Sequence, residues 1–415
     1  MRLERIKALL SLLGNPQDRF VSIHVGGTSG KGSTATFLSY ILKEAGFKVG
    51  LTLSPHVEGI RERIQINNKN ISEKDFVRLM EKIKPYIEKV AKETDFGRPT
   101  YFETLVALAF WYFGQKKVQI GVVEVGLGGR LDATNVLSSK IQVITSVDLD
   151  HTEILGRTIE KIAKDKVEII KLGSLVVSAA DQASVKKIIE TKSKAEKAKL
   201  HLLGEDFGYK IKKTDLTGSV FDFWFGKRKI KKLKISPLGD HQVENASLAL
   251  AVIFGLGGRG YKISEKAIRY GLRRTFIPGR FEVIEQKSVV ILDGAHNVAK
   301  IKAFLKTLKK LFPKRRKICV LAIKETKDYQ GMAKELVKVM DVFILTSFKS
   351  GQEGPGSLLP HKLAGAIKQL VRGKKVLVEN ESSQAIKKAI RLAGPEDLIC
   401  VTGSLYLVGE TRGNL

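Results

Sequence analysis

Between Gly26 and Ser33 the chain reads Gly26-Gly27-Thr28-Ser29-Gly30-Lys31-Gly32-Ser33. Glycines at this density let backbone N–H groups turn toward one point, and a helix beginning there adds the partial positive charge of its N-terminus. A lysine in such a loop supplies a cation for β- and γ-phosphates. The run is not a strict Walker A motif, because Val25 stands where that motif has glycine and Gly32 follows Lys31 where it has Ser or Thr. The chemistry that suits Gly27, Thr28, Ser29, Gly30, Lys31, Gly32 and Ser33 is still nucleotide phosphate binding, with Lys31 expected to face solvent. A second candidate is Glu124, near the end of the apolar run Val118–Val125 and beside glycines. A carboxylate there needs a partner, and a metal ion is a good one.

The elements that must position these residues alternate. Phe20–Val25 reads as a strand, Ser33–Ala45 as an amphipathic helix, Val49–Leu53 as a strand, Glu103–Phe113 as an apolar helix, and Val118–Val125 and Ile141–Val147 as strands. Thr158–Lys171 reads as a helix and Leu175–Ala179 as a strand. This alternation predicts a mostly parallel, helix-covered sheet. Tyr209–Ile235 is rich in β-branched, aromatic and Lys residues, and predicts a small antiparallel extension. His241–Phe254 reads as a helix. The helical pattern stops at the basic, Pro-containing segment Arg273–Pro278, which sets expected domains at 1–277 and 278–415. Beyond it a second, smaller α/β domain is expected, with strands at Val289–Leu292, Ile318–Ala322, Val342–Leu345, Val376–Val378 and Leu398–Val401. The helices between them are Val298–Leu308, Met332–Met340, Leu363–Val371 and Ser383–Leu392. The Gly- and Pro-rich connection Lys349–Pro360 is expected to be mobile.

With 415 residues the chain is long for one core and comfortable for two domains. It has no apolar run long enough for a membrane span and no signal peptide pattern. Cys319 and Cys400 sit in apolar runs without metal-ligand spacing and read as buried thiols of a cytoplasmic protein. The net charge of +29 would suit nucleic acid, but the lysines are scattered and no RNA- or DNA-binding motif accompanies them. Nucleic acid is not the expected partner; a site for acidic small molecules would use the same potential.

Several runs carry a resemblance, in order along nearly the whole chain. They are the glycine loop; Ser54-Pro55-His56 and Glu62-Arg63-Ile64; Glu124-Val125-Gly126-Leu127-Gly128-Gly129-Arg130-Leu131-Asp132-Ala133-Thr134-Asn135; and Leu149-Asp150-His151-Thr152. His241-Gln242-Val243-Glu244-Asn245, Pro278-Gly279-Arg280-Phe281-Glu282, Leu292-Asp293-Gly294-Ala295-His296-Asn297 and Thr402-Gly403-Ser404-Leu405-Tyr406-Leu407 follow. Together they resemble the folylpolyglutamate/dihydrofolate synthase family of the Mur ligase superfamily. The resemblance implies a two-domain α/β fold, with an N-terminal P-loop-type sheet and a Rossmann-like C-terminal domain. The activity implied is an ATP-dependent ligase joining L-glutamate to a folate or dihydropteroate carboxylate through an acyl phosphate. ATP and Mg²⁺ are implied, a second Mg²⁺ and a monovalent cation are left open, and a monomer is suggested.

By the same resemblance Ser54, Glu124 and His151 are metal ligands, and Lys166 is carbamylated and binds a second Mg²⁺. Asn245, Arg280 and Asp293 are adenine, phosphate and ribose contacts, and His296 acts near the γ-phosphate. Thr100, Tyr101, Phe102 and Glu103, with Leu131, Asp132 and Ala133, face the pterin. Plainer alternatives are a surface lysine for Lys166, a salt-bridged or capping Glu124, and helix caps for Asn245 and Asp293. The chain departs from the family at Ser29, usually Asn; at Asp165-Lys166-Val167-Glu168-Ile169, usually Glu-Lys-Ala-Gly-Ile; and in a longer loop within Leu321–Tyr329. Met1 stands just before the Leu3-Glu4-Arg5-Ile6 that normally follows a leading segment: either the chain is naturally short, in which case one wall of the pterin pocket is expected to be missing, or its start is set at a late start codon. A peptidoglycan-precursor ligase would need a UDP-sugar domain ahead of the loop, where only about 25 residues stand. A basic nucleic-acid binder with a vestigial loop, and a non-catalytic nucleotide binder, are the remaining alternatives.

Overall fold

The computed structural model describes residues 3–285, 288–349, 356–371 and 373–415. Three sheets organise them. The first has eight strands: β1 (Val21–Gly26), β2 (Val49–Thr52), β3 (Gln65–Ile66), β4 (Lys69–Asn70), β5 (Ile120–Glu124), β6 (Ile141–Ile144), β7 (Leu175–Ser178) and β8 (Lys199–Leu202). Their order is β4-β3-β2-β5-β1-β6-β7-β8, in which the six strands β2, β5, β1, β6, β7 and β8 pair in parallel and β3 alone is reversed, antiparallel to both β2 and β4. Every residue of β5 is buried, as a central strand covered on both faces requires. On one face lie the helices Lys31–Glu44, Asp240–Gly257 and Glu265–Arg274, bringing Phe37, Ile41, Val243, Leu250 and Leu272 into one core. On the other lie Glu4–Leu12, Glu73–Glu93 and Tyr101–Gln115.

The antiparallel extension exists as a separate sheet of β9 (Phe207–Asp215), β10 (Gly218–Phe225) and β11 (Arg228–Ile235). Its Phe221, Phe223 and Leu233 pack on the Asp240–Gly257 side of the first core. The third sheet holds β12 (Glu282–Glu285), β13 (Val289–Asp293), β14 (Lys317–Leu321), β15 (Val342–Leu345), β16 (Lys375–Val378) and β17 (Leu398–Thr402) in the order β12-β13-β17-β14-β15-β16. All but β12 run parallel. Helices cover both faces of it, with Ile301, Phe304 and Leu308 of Val298–Leu311 on one side and Ala385, Ile386 and Leu407 on the other.

The structure departs from the sequence reading at several elements. The helix expected over Thr158–Lys171 runs only Ile159–Lys166 and gives way to a 3-10 turn, Val167–Ile169. Its terminal carbonyls are taken elsewhere: Arg130 N donates to Asp165 O at 3.1 Å and Asn135 Nδ2 to Glu168 O at 3.4 Å. The 21-residue helix Glu73–Glu93, where no element was expected, carries Pro85 inside it. Leu79, Ile83, Ile87 and Val90 nevertheless bury one face while Pro85 stays on the exposed one. The helix expected at Met332–Met340 starts earlier, at Tyr329, where Asp328 accepts from Gly331 N. Residues 350–355 of the Lys349–Pro360 connection lie outside the described residues.

Candidate active site

β1 ends in the glycine loop, and Lys31 opens the helix that follows. Gly30, at φ +85°, is its N-cap, and a Cβ on Gly30 would stand 2.2 Å from Asn245 Oδ1. A Cβ on Gly27, at φ +135°, would meet Thr145 Oγ1 at 1.9 Å. Both positions therefore admit only glycine, since an L side chain would carry backbone strain as well as the clash. The loop is pinned from β6: Thr145 Oγ1 donates to Ser29 O at 2.6 Å, and Ser29 N donates to Ser146 Oγ at 3.2 Å. Lys31 does not project to solvent as expected; its ammonium folds back and donates to Gly27 O at 3.2 Å.

Lys166 donates to the same Gly27 carbonyl at 2.9 Å. It is buried, which overturns the surface-lysine alternative. Burial, and then the neighbouring Lys31 cation, bring its amine down to about 7. Glu124, also buried, closes β5 and accepts from Ser54 N at 2.8 Å. Burial pushes its carboxyl up, partly offset by Lys31. Ser54 and Glu124 thus stand together behind the loop, and a Cβ on Gly32 would lie 3.4 Å from either oxygen of Glu124. His151 takes a left-handed backbone, φ 51°, at the start of the short helix Thr152–Leu155. Burial, followed by the Lys327 cation, lowers its proton affinity and favours the neutral ring.

The second domain supplies the far wall. Asp293 ends β13; its oxygens accept from Phe281 N at 2.9 Å and Ala295 N at 2.8 Å, and burial raises its pKa to about 6. It caps no helix, since Asn297 caps Val298–Leu311 by accepting from Lys300 N at 2.9 Å. Asn245 is likewise no cap; it lies inside Asp240–Gly257 and donates to Gln242 Oε1. His296 Nδ1 donates to Gly294 O at 2.8 Å, which leaves Nε2 to accept from Lys300 Nζ at 2.9 Å. Burial and the cations Lys300 and Arg280 hold its pKa far below the usual histidine range.

A cleft of about 450 Å³ collects all of these: the loop from Gly27 to Ser33, Ser54, Glu124, His151, Lys166, Asn245, Arg280, Asp293 and His296. Residues expected on separate domains therefore share one cavity. Among the described residues no group of three or more His, Cys, Asp or Glu is close enough to hold a metal. The donors gathered beside the loop are one carboxylate, one hydroxyl and one neutral imidazole.

A second cleft, about 520 Å³ and mostly apolar, is lined by Thr100, Tyr101, Phe102, Glu103, Leu131, Asp132 and Ala133. Glu103 has a structural part: Oε2 accepts from Thr100 N at 2.7 Å and from Arg5 Nε at 2.6 Å, fixing the start of Tyr101–Gln115. Arg5, on the first helix, lines this cleft too.

Two functional candidates escaped the sequence reading. Lys300 lies in the first cleft, where burial and Arg280 bring its amine to about 7. A lysine in the first turn of a helix opposes the helix dipole, and that was the available signal. Lys327 lies in the loop noted as longer than usual and crosses between domains, donating to Asp150 Oδ1 at 2.7 Å. With Lys31, Lys166 and Arg280 these residues concentrate positive charge around a polyphosphate-sized space.

Comparison with known proteins agrees with this geometry. The Mur ligase middle domain model matches residues 25–253, and the Mur ligase glutamate ligase domain model matches residues 279–405. Fold and cleft define an ATP-dependent ligase of the Mur type. The dihydrofolate synthase/folylpolyglutamate synthase of Bacillus subtilis is 34% identical over 100% of this chain and 94% of its own length. Mycobacterium tuberculosis folylpolyglutamate synthase, solved with ADP and AMPPCP, superposes with a TM-score of 0.93 at 31% identity, covering 99% of this chain and 95% of that one. Escherichia coli FolC in complex with DHPP and ADP gives 0.88 at 28% identity, covering 100% and 92%. The chain belongs to the folylpolyglutamate synthase/dihydrofolate synthase family.

Proposed function

We propose that the first cleft binds ATP, the second binds a folate-type acid, and the acid's terminal carboxylate takes the γ-phosphate where the two meet. The observation that carries this is the shared wall: Ser54, Pro55, Gly126, Leu127, His151 and His296 line both clefts. A carboxylate oxygen attacks the γ-phosphorus and ADP leaves. The amine of L-glutamate then attacks the acyl carbon, phosphate leaves, and the amine gives up a proton. The loop N–H groups, Lys31, Arg280 and Lys300 hold the phosphates, with Asn245 at the adenine and Asp293 at the ribose. Lys324 and Lys327 line the second cleft and suit the carboxylates of the incoming glutamate.

Ser54, Glu124 and His151 fit Mg²⁺ in part. Among the described residues buried Glu124 has no salt-bridge partner, Ser54 adds a hydroxyl, and the neutral ring of His151 has a lone pair to give. Mg²⁺ would supply charge neutralisation at the β- and γ-phosphates. The lowered pKa of Lys166 suits attack on CO₂, and the carbamate so formed would be an anion beside the loop, able to hold a second cation. We place the domain boundary at 277/278, where Phe276, Ile277 and Pro278 line a cavity between the domains and form a hinge for closure. The reading includes a monomer in the cytoplasm; no helix among the described residues is long and apolar enough to cross a membrane.

The test is ATP-dependent phosphate release with L-glutamate and either dihydropteroate or tetrahydrofolate. Release that requires both glutamate and one of these acids is expected. Release indifferent to both would overturn the reading.

A further inference from the structure

We infer that His24, in the middle of β1 behind both clefts, positions the Asp132 carboxylate for the acceptor substrate through the Thr134 hydroxyl. The inference rests on the reading of the second cleft as the acceptor site.

Three side chains form a buried chain. His24 is 0% exposed, Thr134 1% and Asp132 3%. Asp132 Oδ2 accepts from Leu127 N at 2.8 Å, while Oδ1 accepts from Thr134 N at 2.9 Å and from the Thr134 hydroxyl. A threonine hydroxyl has one proton, and the carboxylate takes it. The contact of Thr134 Oγ1 with His24 Nε2, at 2.7 Å, is therefore one in which the hydroxyl accepts and the ring donates. Nε2 carries the hydrogen and Nδ1 is bare. Nδ1 is indeed buried without a hydrogen-bond partner among the described residues, which a lone pair tolerates better than an N–H would. Burial, and then Lys171, keep the ring neutral.

The chain of donation thus runs one way, from His24 to Thr134 to Asp132, and each bond polarises the next. Its effect is to hold Asp132 as an acceptor in an apolar wall shared with Phe102, Leu127 and Ala133. Burial alone pushes this carboxyl toward the protonated form, and the hydrogen bonds from Thr134 and Leu127 oppose that. A heteroaromatic ring presenting N–H donors would be read by such an acceptor. If the His24 donor is lost, the Thr134 hydroxyl can turn away and Asp132 loses both its orientation and part of its preference for the ionised form. His24 touches no cleft; it is a positioning residue.

The experiment compares His24→Leu, His24→Gln and Thr134→Val in steady-state ADP release with the folate-type acid, glutamate and ATP. His24→Leu keeps the bulk and removes the donor. It should raise KM for the acid about tenfold while KM for ATP and kcat stay within about twofold. His24→Gln retains a side-chain N–H and should restore most of the loss. Thr134→Val should match His24→Leu, and the double variant should be no worse than either. An unchanged acceptor KM in a folded His24→Leu, a parallel rise in the KM for ATP, or failure of folded His24→Gln to rescue would each overturn the inference. Should His24→Leu not fold, Thr134→Val applies the same criteria. If the wild-type chain shows no acid-dependent ADP release, the acceptor reading itself is wrong and the inference falls with it, a result seen before any variant is made.

Discussion

Replacing Lys166 by Met should make the protein more stable and inactive at once. The amine is buried, among the described residues its only hydrogen-bond acceptor is Gly27 O, and Lys31 shares that acceptor. A lysine brought from 10.5 to about 7 costs the folded state on the order of 4 kcal/mol at pH 7. Below pH 7 the cost is fully present, because the unfolded lysine is charged and the folded site resists the charge. It fades as pH rises from 7 toward 10.5, where the unfolded lysine loses its proton as well; the unfolded state binds more protons across that window, so wild-type stability climbs with pH. Methionine is close in volume and removes the cost, at the loss of one hydrogen bond worth about 1 kcal/mol. The net gain, roughly 2–3 kcal/mol, should raise the melting temperature of the first domain by roughly 5 °C or more at pH 7, and by much less at pH 9.5. Thermal melts of both proteins in buffer purged of CO₂ measure this, and ADP release with glutamate and a folate-type acid should fall at least 100-fold, an order-of-magnitude figure for losing one electrostatic contact at the reacting centre. A variant less stable than wild type at pH 7, or a difference that does not shrink with pH, would refute the electrostatic account. Retained turnover would remove Lys166 from the chemistry.

Three further outcomes are expected. Lys31→Ala should abolish ATP-dependent turnover with the melting temperature within a few degrees of wild type, since the side chain makes one backbone contact and no core packing; near-normal turnover would show that the loop does not bind the triphosphate. Gly30→Ala places a methyl 2.2 Å from Asn245 Oδ1 at a φ of +85°, so KM for ATP should rise at least about tenfold while acceptor binding by calorimetry is unchanged. Gly409, on the C-terminal helix Leu405–Arg412, lies so close to the first domain that a Cβ would stand 1.8 Å from Val57 O. Gly409→Val should therefore hold the domains apart and lower kcat without changing the melting of either domain, and small-angle scattering with ATP analogue should show a larger radius of gyration than wild type; an unchanged radius would refute it.

Where the sequence reading succeeded, the information was local. Strand–loop–helix order around Gly26–Ser33, the alternation of apolar runs, and the Glu124–Asn135 run need only neighbours in sequence, because periodicity records which face of an element is buried. Where it failed, a contact from elsewhere decided. The helix ending at Lys166 stops where Arg130 N takes the Asp165 carbonyl, and the helix through Pro85 persists because Leu79, Ile83 and Ile87 are buried beneath it.

The sequence by itself determined the two sheets of parallel strands, the phosphate loop and the family. It also marked part of the lining of each cleft. Only the tertiary structure decided how they work. It put Lys166 and Lys31 on one carbonyl, 139 residues along the chain from the former, and paired Lys327 with Asp150 across 177 residues. It also buried His24 against Thr134, 110 residues along the chain, behind Asp132. The state of each group depends on the charges and the water left around it. Those are fixed by which distant elements meet, and no local pattern of residue types records that.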